Sequence, residues 1–313
     1  MTKLVISVVT WNSEQTIQAC IRSVLEQTEN DFVLHVFDNY SADKTLEVLK
    51  SFNDERLRIH AHSENTGFCG GHNFVIRHTQ SDYVLLVNPD VIMRPDYVSK
   101  AVSKMEQHPE AGTLCGLLLQ NEKGLIDSAG LKLKRSGTME LMHHGADIHT
   151  ADLKESYIFG CDGALPLYRR SMIEDVSVNN MFFDEQFFAH KEDWDVSWRS
   201  ALYGWKTLFV PECRALHPRY FKPGDRSLRK NIPAKIKADA VKNQLILFLK
   251  NLSAGEFFRN FFYIVPRQIM IFFYVLLFER GSLAAYAYIH KNRKHIIAQR
   301  RIIQQKRKVK TLI

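Results

Sequence analysis

The 313-residue sequence predicts an open, mostly parallel α/β sheet followed by a helical, strongly basic C-terminal extension. Three observations carry this. Apolar strand-like runs alternate with helical stretches three times before a fourth strand closes the series at Val87. Each of those segments hands over to a cluster of polar or small residues, the turn chemistry that lines the ligand crevice of such sheets. Charge is also split: residues 1–217 hold 21 Lys and Arg against 30 Asp and Glu, a net of −9, whereas residues 218–313 hold 21 against 4, a net of +17.

The elements follow in order. Leu4–Val9 reads as a buried strand. Residues 14–27 place Ile17, Cys20, Ile21, Val24 and Leu25 on one helical face, with Ser13 as N-cap. Phe32–Phe37 is the second strand, ending at Asp38-Asn39, and a helix starts from Ser41-Ala42-Asp43 through Phe52. Leu57–Ala61 is a third strand; Asn65–Gly71 reads as a glycine-rich loop, with a helix beginning at Asn73. Tyr83–Val87 is the fourth strand, stopping on Asn88-Pro89-Asp90. This order implies right-handed crossovers and a parallel sheet. A helix at about 96–107 precedes a less regular region that reaches about 160 and includes Gly112–Leu119 and Leu131–His149. Beyond it come the apolar run Leu165–Leu167, a helix from Glu192 to a Gly204 stop, and a strand at Leu208–Val210.

The first strand-helix turn is Thr10-Trp11-Asn12-Ser13, with no Gly-x-Gly-x-x-Gly, which argues against a dinucleotide enzyme. Five scattered cysteines without Cys-x-x-Cys suit a reducing compartment better than a disulfide or zinc framework, and the apolar opening ends after Val9, too early for a signal peptide. His108, His143, His144 and His149 lack metal-ligand spacing and read as loop residues.

Two acidic clusters carry chemistry. Asp90 ends a buried strand, where a hard oxygen ligand suits Mg²⁺ or Mn²⁺ on a diphosphate; a plain turn is the alternative. Glu192-Asp193 opens a helix among Phe182, Phe183, Phe187, Phe188, Trp194 and Trp198, a low-dielectric setting that makes a carboxylate a general base. The alternative there is helix capping, with Asp195 and Arg199 as a surface i,i+4 pair.

Six motifs in order resemble the family 2 inverting glycosyltransferases, which have the GT-A fold, and most of all the bacterial rhamnosyltransferase branch that builds O-antigen and cell-wall polysaccharides. They are Val-Val-Thr-Trp-Asn (8–12), Phe-Asp-Asn-Tyr-Ser-Ala-Asp (37–43), Glu-Asn-Thr-Gly-Phe-Cys-Gly-Gly-His-Asn (64–73), Asn-Pro-Asp (88–90), Phe-Asp-Glu-x-Phe-Phe (183–188) and Glu-Asp-Trp-Asp-Val-x-x-Arg (192–199), closed by His217. The resemblance covers about residues 3–217. It implies that Thr10 and Asn12 edge the base and ribose of a sugar nucleotide. Asp38 accepts from the N3–H of uracil or thymine, supported by Asn39 and Ser41. Asn65, Gly67 and Asn73 approach ribose and diphosphate. Asn88 and Asp90 stand for the family's Asp-x-Asp, with Asp90, and His217 as a further ligand, holding Mg²⁺ or Mn²⁺. Asn88 departs from a double-carboxylate version, and a structural strand-end role for His217 stays open beside the metal role. Asp193 is the implied base, Glu192 orients acceptor or base, and Gly163 and Trp194 lie on the acceptor side. The implied donor is dTDP-L-rhamnose, with galactofuranose, glucose and N-acetylhexosamine donors open.

The expected organisation is a GT-A catalytic domain at 1–220, binding sugar nucleotide over about 1–95 and acceptor over about 96–220, then a basic helical region at 221–313. Phe257–Phe278 is aromatic but interrupted by Arg259, Pro266 and Arg267, leaving Ile269–Phe278 too short to span a bilayer. It reads as an in-plane anchor whose basic neighbour Lys291–Lys310 meets anionic lipid; packing on protein is the alternative. This fits a cytoplasmic protein, peripheral on the inner face of a bacterial plasma membrane, with a polyprenyl-diphosphate-linked or oligosaccharide acceptor. No nucleic-acid motif accompanies the basic tail. Oligomeric state is open, and a catalytically silent scaffold module is the competing function.

Overall fold

The computed structural model describes residues 2–218 and 232–313. Ten strands form one sheet: β1 (Thr2–Thr10), β2 (Phe32–Asp38), β3 (Leu57–Ala61), β4 (Ser81–Val87), β5 (Ile92–Met93), β6 (Ala111–Leu119), β7 (Ile126–Ser128), and, beyond a separate hairpin of β8 (Leu131–Leu133) and β9 (Met139–Leu141), β10 (Ser156–Ile158), β11 (Pro166–Arg169) and β12 (Lys206–Leu216). The main order is β10-β12-β6-β11-β4-β1-β2-β3. β3, β2, β1 and β4 run parallel, as the alternating sequence predicts. β11 enters antiparallel between β4 and β6, and β12 runs parallel to β6.

Helices cover both faces. One core gathers α1 (Ile17–Leu25), α2 (Thr45–Lys50) and α4 (Tyr97–Gln107). The opposite core gathers α3 (Gly67–His78), α5 (Arg170–Val176) and α6 (Glu192–Leu202). It also takes residues of the C-terminal helices α7 (Ala234–Asn251), α9 (Phe261–Phe278) and α10 (Ala284–Gln305), with the short α8 (Ala254–Arg259) between the first two. The basic region therefore shares a core with the body. The expected boundary near 220 lies outside the described residues.

Several sequence expectations are corrected. Helix α1 starts at Ile17, and Ser13 contributes its carbonyl rather than a side-chain cap. The glycine-rich stretch is the first turns of α3, not a loop: a Cβ on Gly71 would stand 2.7 Å from Val9, so glycine lets this helix close onto β1. Gly112–Leu119 belongs to β6, buried along its whole length, because a strand covered on both faces shows no alternation to read. Asp195 and Arg199 do pair, at 2.9 Å, but both are buried. Finally, α9 runs unbroken through Pro266 for 18 residues, long and apolar enough by length and composition to cross a membrane, with 11% of it buried. One face of it packs on the protein through Ile264, Ile271 and Val275, while Phe262, Met270, Phe273 and Leu277 are exposed on the other side.

Candidate functional site

The crevice lies at the carboxyl ends of β1, β2 and β4. Thr10 and Asp38 end adjacent strands as register partners. Both are buried, and Thr10 Oγ1 and Asp38 Oδ1 have no hydrogen-bond partner among the described residues. Buried polar atoms are nearly always satisfied, so two orphans side by side mark a place for a polar ligand. Asp38 Oδ2 accepts from the Ser41 amide at 3.2 Å. Asn12 and Tyr40 take left-handed backbone angles, turning the chain at each strand end. Asn12 then ties the two turns together: its amide donates to Ser41 Oγ at 2.9 Å and its Oδ1 accepts from the Ala42 amide at 2.8 Å. Trp11 and Tyr40 stand exposed on these turns.

The next three expected residues build the wall of the crevice. Asn39 donates to the Gly67 carbonyl at 3.0 Å and accepts from the Thr66 amide at 2.7 Å. Asn65 Oδ1 accepts from the Gly67 amide, whose residue has φ 74 and whose Cβ would meet the Phe188 carbonyl at 2.5 Å. Asn73 engages both amide groups with Phe183, donating to its carbonyl at 2.8 Å and accepting from its N–H at 3.0 Å. Asn73 thereby braces residues 182–188 against α3. His72, without a reading in the sequence, is a core residue paired with Ser7 at 2.8 Å and pushed down to about 3 by burial.

A second cluster forms where the turn after β4 reaches the end of β12, beside the pairing of β5 with β12. Asp90 Oδ1 lies 3.5 Å from Nε2 of His217, just past the end of β12. The other ring nitrogen, Nδ1, is 2.8 Å from Oδ2 of Asp127, a fully buried residue of β7. Burial lowers the affinity of His217 for a proton, but its bonds to Asp127 and Asp90 outweigh that and raise it to about 9. Sequence reasoning missed Asp127, a lone acid in a short strand. Among the described residues no group of three or more His, Cys, Asp or Glu could hold a metal. Asp90 therefore fits a cation completed by substrate phosphate oxygens and water, as Mg²⁺ sites commonly are, and not an all-protein cage; His217 joins it only by giving up the Nε2 proton that now faces Asp90.

The third cluster opens α6. Phe188, His190 and Lys191 all take left-handed angles, so the approach to this helix is strained. Asp193 Oδ2 accepts from the Gly163 amide at 3.1 Å and Oδ1 from the Trp194 amide at 2.9 Å; the residue is half-buried. Its neighbour Glu192 is the buried one. Burial first, then the charge of Asp193, pushes the Glu192 carboxyl up to about 8, and its Oε2 has no hydrogen-bond partner among the described residues. A Cβ on Gly163 would fall 3.5–3.6 Å from Asp193, Glu192 and Phe68, so glycine keeps this space open. The adjacent Ala164 carbonyl accepts from the Asn88 amide at 2.9 Å. Residues 163–164 thus link the Asp90 and Asp193 clusters.

Helix α7 supports that arm from behind. Asn243 Nδ2 donates to the carbonyls of Phe187, Ala189 and His190 at 2.7–3.1 Å. Lys250 reaches Asp184 at 2.6 Å and Asp195 at 3.1 Å, all three buried.

A family model described as glycosyl transferase family 2 matches residues 5–177. Rhamnosyltransferase WbbL of Escherichia coli K12 is 29% identical over 148 residues, 45% of this chain and 54% of that protein. The Escherichia coli protein named UDP-Glc:alpha-D-GlcNAc-diphosphoundecaprenol beta-1,3-glucosyltransferase WfgD is 28% identical over 95 residues, 30% of this chain and 38% of that one. The chain spans 38–65% of the length of the curated relatives it matches first. Among solved structures, mannosyltransferase PcManGT of Pyrobaculum calidifontis, in complex with GDP-Man and Mn2+, superposes with a TM-score of 0.56 at 14% identity, over 92% of this chain and 75% of that one. The fold is GT-A, as the motifs implied.

Proposed function

The chain belongs to glycosyl transferase family 2, and on that premise we propose that it is a metal-dependent inverting glycosyltransferase. In its most specific form it moves L-rhamnose from dTDP-L-rhamnose to a hydroxyl of a lipid-linked or oligosaccharide acceptor in bacterial cell-surface polysaccharide assembly. The observation that carries the reading is the pair of orphaned atoms, Thr10 Oγ1 and Asp38 Oδ1, side by side at the carboxyl edge of the sheet. A uracil or thymine N3–H would satisfy Asp38. The relative WbbL supports rhamnose, the name of WfgD supports a diphosphoprenol acceptor, and the Mn2+ held by PcManGT supports the cation.

The roles follow. Asp193, aimed by the Gly163 amide, takes the proton of the acceptor hydroxyl as it attacks the anomeric carbon. Glu192 keeps its own proton at neutral pH and orients the acceptor or Asp193. Asp90 and His217 would hold Mg²⁺ or Mn²⁺, which supplies charge neutralisation at the leaving diphosphate. A single displacement inverts the anomeric centre, so one base suffices. The proposed organisation remains a catalytic body to about 220 and a basic helical region from 221. The second part rests the protein on the inner face of the plasma membrane: α9 exposes an apolar face that includes Phe262, Met270 and Phe273, and Arg280 to Lys310 supply ten cations with no Asp or Glu.

The test incubates the full chain and Mn²⁺ with dTDP-L-rhamnose, UDP-glucose and UDP-N-acetylglucosamine, and follows sugar release or transfer by NMR. Turnover of one donor with inversion at the anomeric proton supports the reading. No turnover of any donor favours the silent scaffold.

A further inference from the structure

The C-terminal helices enclose a groove of about 820 Å³ that no step of the proposed reaction uses. Its walls are apolar: Leu249 and Leu252 from the end of α7, Phe258 from α8, Ile264 from α9, and Ile296 and Ile297 from α10. Its rim is basic, carrying His290, Arg293 and Arg300. Arg300 is anchored, donating to the carbonyls of Leu249 and Leu252 at 2.8 and 2.7 Å and so closing the end of α7. Arg293 is exposed, with its guanidinium set beside His290 at 2.9 Å from that residue's carbonyl.

We propose that this groove is a binding site for one acyl chain of an anionic phospholipid, whose headgroup phosphate meets Arg293 and His290. This rests on the membrane contact proposed above but goes beyond it, from a surface that meets lipid to a discrete site that holds one lipid.

Three features select the occupant. The volume fits: at the ~30 Å³ that a group of water size occupies, the groove has room for more than twenty such groups, ample for one acyl chain. Its polarity fits, being apolar along the walls and cationic at one edge, which matches a chain ending in a phosphate. Its position also fits. Phe258 lies just before α9 and Ile264 lies on it, and α9 also carries the exposed apolar residues Phe262, Met270 and Phe273. An apolar groove continuous with such a helix opens where a bilayer would lie. A second copy of this chain is disfavoured by charge: a two-fold contact through this face would set the cations of α10 against those of its twin, and α10 has no carboxylate to offset them.

The experiment uses the full chain and vesicles of phosphatidylcholine containing 20% phosphatidylglycerol, a small part of it bearing a diazirine midway along one acyl chain. After irradiation, labelled peptides are mapped by mass spectrometry. The expected result is label on the 249–252 and 296–297 peptides as well as on α9. Ile297→Glu, at a position already 47% exposed, lowers groove labelling at least tenfold while α9 labelling stays. Arg293→Gln removes the preference for phosphatidylglycerol over phosphatidylcholine in the groove. Label confined to α9, or groove label unchanged in Ile297→Glu, overturns the lipid site and leaves membrane contact standing. Failure to bind vesicles at all overturns both.

Discussion

Replacing Glu192 with Gln makes the protein more stable at neutral pH, because the native carboxylate sits where a charge is penalised. Glu192 is 7% exposed, its Oε2 has no hydrogen-bond partner among the described residues, and its carboxyl is raised from its ordinary 4.5 to about 8. A raised acid holds its proton in the fold where the unfolded chain has lost it. Its contribution is therefore fully present below pH 4.5 and is lost as pH climbs through 8. At ~1.4 kcal/mol per pH unit, the wild type gives up about 3 kcal/mol between pH 4.5 and 7 relative to a chain that cannot ionise there. Gln keeps the shape and stays neutral. Urea unfolding of both proteins at pH 5 and pH 7 measures the difference. The two should agree within about 1 kcal/mol at pH 5, with Gln ahead by about 3 kcal/mol at pH 7. A gap that does not change with pH would refute the argument that burial and Asp193 load this carboxyl.

Other expectations rest on separate contacts. Lys250→Met leaves Asp184 and Asp195 short of a buried cation and lowers stability by about 3 kcal/mol in thermal or urea unfolding. Asp127→Asn keeps an acceptor for His217 Nδ1 but removes the charge behind it, and Mn²⁺ affinity measured by electron paramagnetic resonance falls roughly 10-fold or more; unchanged affinity would leave Asp127 a purely structural residue. Asp193→Asn retains donor binding by calorimetry and loses transfer by roughly 10²–10⁴-fold.

The parallel half of the sheet was legible because strand-helix alternation puts successive strand ends on one edge; Asp90 could be read from its place at a strand end, whereas Thr10 and Asp38 were singled out by the resemblance. What failed to show was brought together by tertiary structure. Asp127 meets His217 across 90 residues, and Lys250 meets Asp184 across 66. No local pattern encodes either pair. Glu192 and Asp193 are adjacent in sequence, yet one is buried and the other half-buried, because successive residues on a helix point about 100° apart. Gly70 and Gly71 suggested a loop by type; their place inside α3 comes from close contact with Thr66 and Val9. In α9, the charge at Arg267 and the ring of Pro266 argued for interruption, but the helix continues through both and gives up the backbone bond that Pro266 cannot donate.

Calorimetric titration of the full chain with dTDP, UDP and GDP, with and without Mn²⁺, tests the central claim most directly. The account predicts Mn²⁺-dependent binding of dTDP or UDP in preference to GDP, lost in Asp38→Ala and weakened in Asp90→Ala. Binding of none of the three, or binding indifferent to both substitutions, would contradict it.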